Sequence, residues 1–270
     1  MKSIRFTTNE KVAETSSKGN QEKWRESGRW YKLDQFGYEA LAEAAVSALL
    51  ESSNIEAKTP FPFVRYRMER IHVHGRERTG CSSADFLKPG QSILTLSHLL
   101  GRHTEKPLLQ VLTALPSDRQ RIAYLAETTA ELTGLTQFPQ YLTLLFEVDA
   151  LFLNDDRHLN NIAVLEQGGV YDYCPIFDNG AGLLSNTQLS PMDIAPKALL
   201  SGLTARPFHT SFTRQRNTAQ KLYGAQLRIP KFSRGQIEDI LAPLLPYYAQ
   251  RDRALILDRV WAVIAARQRR

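Results

Sequence analysis

FLNDDRHLNNIAVL, residues Phe152 to Leu165, sets two aspartates, an arginine, a histidine and three asparagines in front of an alternating apolar run. The residues leading into it, Tyr141 to Leu153 (YLTLLFEVDALFL), are apolar enough for a buried helix, and NIAVL reads as a buried strand. The polar groups therefore sit on a short connection held between two core elements. A rigid scaffold fixes the geometry of such a loop while leaving it open to a ligand, so it is a place for chemistry.

Outward from this loop, two short strands, NIAVLE and YDYCPIF, are joined by QGG, a hairpin turn. Helices are expected at Asp118–Thr133, Pro139–Leu153, Arg234–Tyr248 and Arg251–Arg267. The first ninety residues differ: SIRFTT, GRWYKL, FPFVRYRMERIHVH and ERTGCSS are strand-like, with one helix at Tyr38–Ser52. The pattern predicts an α+β chain, a β-rich part over 1–86 followed by a mostly helical part over 87–270. No linker separates them, so they read as two lobes of one unit.

The net charge of +6, from 34 lysines and arginines against 28 acids, suits an anionic partner without choosing among nucleotide, acidic protein and nucleic acid; nucleic-acid binding has no motif behind it. Two cysteines are too few for a disulfide scaffold, and MKSIRFTTNE has no apolar export core, which points to a reducing, cytoplasmic setting, with leaderless secretion as the alternative. No apolar run approaches the roughly 18 residues of a membrane span.

Phosphoryl transfer by protein kinases needs a catalytic-loop Asp to take the hydroxyl proton and an Asn five residues on to hold magnesium. A second Asp, after a hairpin, holds the metal against the phosphates. Asp156 and Asn161 have that spacing, and PIFDNG places Asp178 after the hairpin. Hard oxygen donors of this kind suit Mg²⁺ bound to ATP. Asp155 and Asn160 share the spacing, but Asn161 is the one that abuts IAVL. A lysine on a small-lobe strand and a glutamate on the next helix complete the set. Lys32 in GRWYKL and Glu43 in YEALAEAAVSALLESS fit, with Glu39 in reserve, and Lys32 is expected to lie in an open cleft. Ser17, Lys18 and Gly19 offer a phosphate-binding turn, and backbone near Ala84 and Phe86, in TGCSSADFL, offers an adenine-binding hinge. His72 and His74 alternate on a strand; with no third ligand nearby, they read as exposed histidines rather than a metal pair.

NDDRHLNNIAV followed by PIFDNG resembles the HipA-type kinase family, whose loop pattern of Asp, any residue, His, two residues and Asn falls here on Asp156, His158 and Asn161. YKL and GYEALAEAAVSALL are similar to its lysine strand and first helix, so the resemblance runs discontinuously from about Ser16 to Leu184. It implies a protein-kinase-like bilobal fold, ATP with Mg²⁺, transfer to Ser or Thr of a protein substrate including itself, and His158 as part of the catalytic loop. The family's longer toxin members carry an additional N-terminal subdomain. This chain begins close to its nucleotide loop, so the compact, CtkA-like members are the nearer comparison and docking to an antitoxin or regulator is less expected. The same residues also fit a phosphoinositide-like or small-molecule kinase, or a nucleotide-binding pseudokinase.

Overall fold

The computed structural model describes residues 4–6, 21–73 and 75–269. Strands β1 (Ile4–Phe6), β2 (Lys23–Glu26), β3 (Arg29–Leu33), β4 (Tyr66–Val73) and β5 (Arg76–Ala84) form one sheet in the order β1-β4-β5-β3-β2, antiparallel except where β1 meets β4. Helix α1 (Glu39–Leu50) and the single turn α2 (Ile55–Lys58) lie between β3 and β4 in the chain. The ladder places Lys23, Lys32, Cys81 and Met68 side by side, and Arg25, Trp30, Ser83 and Tyr66 on the next rung but one. Because side chains alternate, these share the face toward α1. Trp24, Tyr31, Leu33, Ile71 and Val73 take the other face and make a small core of their own, with Trp24 stacked on Tyr31 at 5.3 Å.

The rest is mostly helical: α3 (Leu96–Gly101), α4 (Leu108–Ala114), α5 (Asp118–Thr133), α6 (Phe138–Phe152), α7 (Pro196–Leu199), α8 (Phe212–Tyr223), α9 (Arg234–Leu241) and α10 (Gln250–Arg267). A second sheet, β6 (Ser92–Thr95), β7 (Ala163–Gln167) and β8 (Val170–Tyr173), carries the polar loop at the start of β7. Gly168 and Gly169, both at positive φ, form the turn of the β7–β8 hairpin, a conformation that other residues adopt at a cost. Ser117 caps α5 at one end and left-handed Gly134 at the other, which is why that helix has the expected limits.

Three expectations differ. The helix from Arg234 stops at Leu241 because Pro243 and Pro246 follow, and Leu245–Tyr247 forms one 3₁₀ turn. The hairpin's second strand ends at Tyr173, short of Pro175, and Ile176 instead bridges Phe63. The fourth strand starts at Tyr66 rather than Phe61. Helix α8 and strand β6 carried no clear signal.

That 3₁₀ turn joins the two parts. Tyr247 donates its hydroxyl to Met68 O (3.2 Å) and accepts from Thr79 Oγ1 at its carbonyl (2.9 Å), while Arg70 Nη2 reaches Pro246 O (3.1 Å). Tyr248 donates to Asp34 Oδ2 (2.7 Å) and accepts from Leu41 N (3.3 Å). Asp34 Oδ1 in turn accepts Ala40 N at 2.6 Å, so a carboxyl group outside the helix does the capping that Tyr38, at the N-cap, does not. Burial, then the neighbouring Glu39 charge, pushes the Asp34 carboxyl up to about 8. The folded protein thus holds this proton where the unfolded chain, with an aspartate pKa near ~3.9, has released it. The stabilising share of this group is complete below about pH 4 and is lost as pH rises toward 8. Urea unfolding at pH 5 and pH 8 should give a smaller difference in stability for Asp34→Asn than for the parent. An equal difference would show that Asp34 is not the group responsible. Tyr248→Phe, which removes the partner of Asp34 Oδ2 and of Leu41 N while Ala40 N stays on Oδ1, should cost about 1–3 kcal/mol in the same assay.

Candidate active site

Helix α1 is buried along almost its whole length by Ala40, Leu41, Ala44, Ala45, Val46, Leu49 and Leu50, and Glu43 lies among them with no exposed surface. A buried carboxylate requires a partner. Lys32 Nζ stands 2.5 Å from Glu43 Oε1 and 2.5 Å from Asp178 Oδ1, with the Tyr66 ring 5.3 Å away. Glu43 Oε2 accepts Asn179 N at 2.9 Å, so the residue after Asp178 is also tied to α1. A Cβ at Gly180 would lie 3.4 Å from Glu43 Cγ, an ordinary contact, so the approach of this segment to α1 is set by these hydrogen bonds rather than by the glycine.

Lys32 is buried, not in an open cleft as expected, because both carboxylates enclose it. Burial opposes its charge, but Asp178 and Glu43 outweigh burial and hold the ammonium well above the usual lysine range. Asp178 sits at φ 60 and is held well below the carboxylate range by Lys32 and then Lys23 against the pull of burial. Glu43 lies deeper, and burial pushes its carboxyl up despite Lys32. The unit is therefore an ionised Asp178 facing protonated Lys32, with Glu43 behind.

The polar loop is organised by Arg157, which is completely buried. Its guanidinium meets Asp149 of α6 (3.0 Å from Nη2), Asn161 O (3.1 Å), Phe177 O (2.6 Å) and Asn179 Oδ1 (2.8 Å). Asn154 Nδ2 bridges Asp149 Oδ1 (3.0 Å) and Asp178 O (3.2 Å). One side chain thus fixes the loop before β7 and the loop after β8 relative to each other. The signal for it was an aspartate in the apolar run FEVDALF, since a carboxylate on a buried helix face implies a buried cation nearby.

Asn161 donates Nδ2 to Asp156 O at 3.0 Å, while Asn160 is exposed. Asp156 places Oδ1 2.7 Å from Arg206 Nη1, and its Oδ2 lies 3.8 Å from His158 Nε2. In Asp155, burial and the Asp156 charge push the carboxyl up to about 6. Ala84 ends β5 exposed; Phe86 packs on Phe177 at 6.3 Å, beside Leu165 and Cys174. Ser17, Lys18, Gly19 and His74 lie outside the described residues. Glu39 accepts the Gln35, Phe36 and Gly37 amides rather than Lys32. Sequence reading missed Lys23, Arg157 and Arg206. Lys23 is opposite Lys32 on β2, its charge disfavoured by burial and drawn back by Asp178, and it has no ion pair with a described residue.

The donor set fits a magnesium ion. Asn161 spends its amide N–H on the loop, which leaves the amide oxygen as a donor, and Asp178 offers an ionised carboxylate. Among the described residues no three His, Cys, Asp or Glu side chains cluster as a metal cage. Magnesium held with nucleotide phosphates needs only one or two protein oxygens. Two surface cavities lie elsewhere, one at Lys88, Gln167 and Asp172 and one behind α1 at Ala44, Ala48 and Tyr247, and neither contains these groups.

Arg157→Met should cost about 3–5 kcal/mol in chemical denaturation, because it strands Asp149, and adding Asp149→Leu should recover most of the loss. A single variant as stable as the parent would remove Arg157 from its central place.

No protein-family model matches the sequence, and no curated protein matches it significantly. Solved structures do match. The crystal structure of the Helicobacter pylori proinflammatory kinase CtkA is 14% identical, covers 94% of this chain and 92% of its own, and superposes with a TM-score of 0.59. HipA of Shewanella oneidensis MR-1, from a toxin–antitoxin complex with HipB and operator DNA, is 12% identical with a TM-score of 0.50; the match covers 94% of this chain and 64% of that one. The chain has the α+β, kinase-like fold of CtkA and HipA, over a length close to the compact CtkA.

Proposed function

We propose that this protein is an ATP- and magnesium-dependent phosphotransferase that phosphorylates Ser or Thr of proteins, itself included. The observation that carries the reading is Lys32 lodged between Glu43 and Asp178, three residues from separate elements converging at 2.5 Å. A purely structural ion pair would need one carboxylate. The second, at the mouth of the cluster with Lys23 beside it, is where a metal-bound triphosphate would be received.

In this reading Lys32, set by Glu43, and Lys23 neutralise phosphate oxygens, and backbone near Ala84 and Phe86 meets the base. Asp178 and Asn161 would hold the metal, which supplies charge neutralisation at the phosphates. Asp156 accepts the proton of the acceptor hydroxyl as that oxygen bonds to the γ-phosphorus and the bond to the β-phosphate oxygen breaks, releasing ADP. Ser17, Lys18 and Gly19 stay candidates for further phosphate contacts. HipA is seen with HipB and operator DNA; a regulator of this chain is proposed by analogy only, and the protein substrate is unassigned.

Two measurements test this. ATP with Mg²⁺ at a hundred times its dissociation constant should stabilise the parent by about 2.7 kcal/mol. Asp178→Asn should lose that response while still folding, and an unmoved melting temperature in the parent would count against nucleotide binding altogether. With γ-labelled ATP and casein, Asp156→Ala or Asn161→Ala should lower transfer by roughly 10²- to 10⁴-fold, whereas Asp155→Ala and Asn160→Ala should keep most of it. The reverse pattern would move the base to Asp155. Label appearing in lipid rather than protein would redirect the acceptor assignment.

A further inference from the structure

Arg206 has no place in the machinery described so far. It sits on the connection between α7 and α8, fifty residues beyond Asp156 in sequence, and its Nη1 lies 2.7 Å from Asp156 Oδ1. Both side chains are open to water, at 42% and 46% exposure. An exposed pair of this kind contributes about 0–1 kcal/mol at most, so stability is a poor reason for it.

The backbone beneath Arg206 is built far more firmly than its side chain requires. Ala205, nearly fully buried, donates its N–H to Thr210 O at 2.7 Å and closes a small bridge. Gln215 of α8, 1% exposed, spends its side-chain N–H on the Arg206 carbonyl at 2.9 Å. Phe208 packs edge-on against Phe146 of α6 at 6.3 Å. A core-anchored backbone thus delivers a guanidinium to one oxygen of one exposed carboxylate. Its Nε and Nη2 donate to no described residue.

We propose that Arg206 is a positioning residue for Asp156. The inference rests on the phosphotransferase reading. An aspartate carboxylate turns about a broad, roughly two-fold torsion, so an unheld base presents either oxygen in many orientations. With Arg206 on Oδ1, the oxygen left for the acceptor hydroxyl is Oδ2, on the side of His158. Holding a reacting group in one geometry acts on the rate of the chemical step. Arginine is suited to this because its planar fork keeps a fixed direction, which a lysine ammonium does not.

The test uses the full chain, γ-labelled ATP with Mg²⁺ and casein as acceptor. Arg206→Ala should lower kcat by roughly 10- to 100-fold, with KM for ATP and the ATP-induced melting shift within about twofold of the parent, the signature of an interaction that matters at the transition state. Millimolar methylguanidinium should restore part of the rate to Arg206→Ala and nothing to Asp156→Ala, and Arg206→Lys should fall between parent and Ala variant. A simple surface ion pair predicts no change in kcat, and that result overturns the proposal. So does a faster Arg206→Ala enzyme, which would make the contact an inhibitory latch, and so does a slow variant that methylguanidinium leaves slow. A parent that binds ATP yet transfers nothing would instead overturn the phosphotransferase reading itself.

Discussion

A single buried guanidinium determines where both acidic loops stand. Arg157 has lost all contact with water, and removing such a group from solvent is tolerable only if its donors are met. They are met by one carboxylate, one side-chain amide and two main-chain carbonyls drawn from α6, the loop before β7 and the loop after β8. A lysine could not do this, because the planar fork is what reaches several acceptors in fixed directions. From this knot follow the position of Asn161, whose carbonyl is taken, and that of Asp178, whose neighbours Phe177 and Asn179 are both bound. The Lys32 cluster then depends on Asp178 arriving where Glu43 can share the same ammonium.

Much of this could be read from the sequence because it is local. Asp156 to Asn161 spans one short loop, the glycine pair fixes the hairpin, and Asp178 follows within a few residues of the second strand. Lys32 and Glu43 were legible for a similar reason, since a strand followed closely by an apolar helix with an embedded glutamate leaves few arrangements. What escaped notice depends on register and packing that no motif marks. Lys23 gains its place through the register of the short β2–β3 hairpin, and Arg206 through the distant packing of Phe208 and Gln215. The burial of Lys32 was also hidden, because it is imposed by two partners, one of them 146 residues away.

The misplaced helix end at Leu241 has the same lesson in reverse. Apolar periodicity continues through LAPLLPYY, so the pattern favoured a longer helix, but two prolines cannot supply the amide hydrogens that it needs. The chain turns instead and sends Pro246, Tyr247 and Tyr248 against the sheet and α1. The break that defeats the periodicity is what adds this contact to those that Lys32 and Glu43 make across the two parts.

That contact bears on how the protein responds to ligands. A helix held at its first turn by Asp34 and Tyr248, and along its length by a continuous core, would lose both sets of contacts on withdrawing. A ligand can shift an equilibrium only by its difference in affinity for two states, and a state that is scarcely populated takes no share of the binding energy. If the proposed reading holds, the Lys32–Glu43 pair is already formed before nucleotide arrives, and apparent affinity would not be reduced by a fraction of molecules waiting to assemble. An effector acting through α1 would have to supply enough differential binding to break the tyrosine contacts first, whereas the Asp156–Arg206 pair lies exposed to solvent.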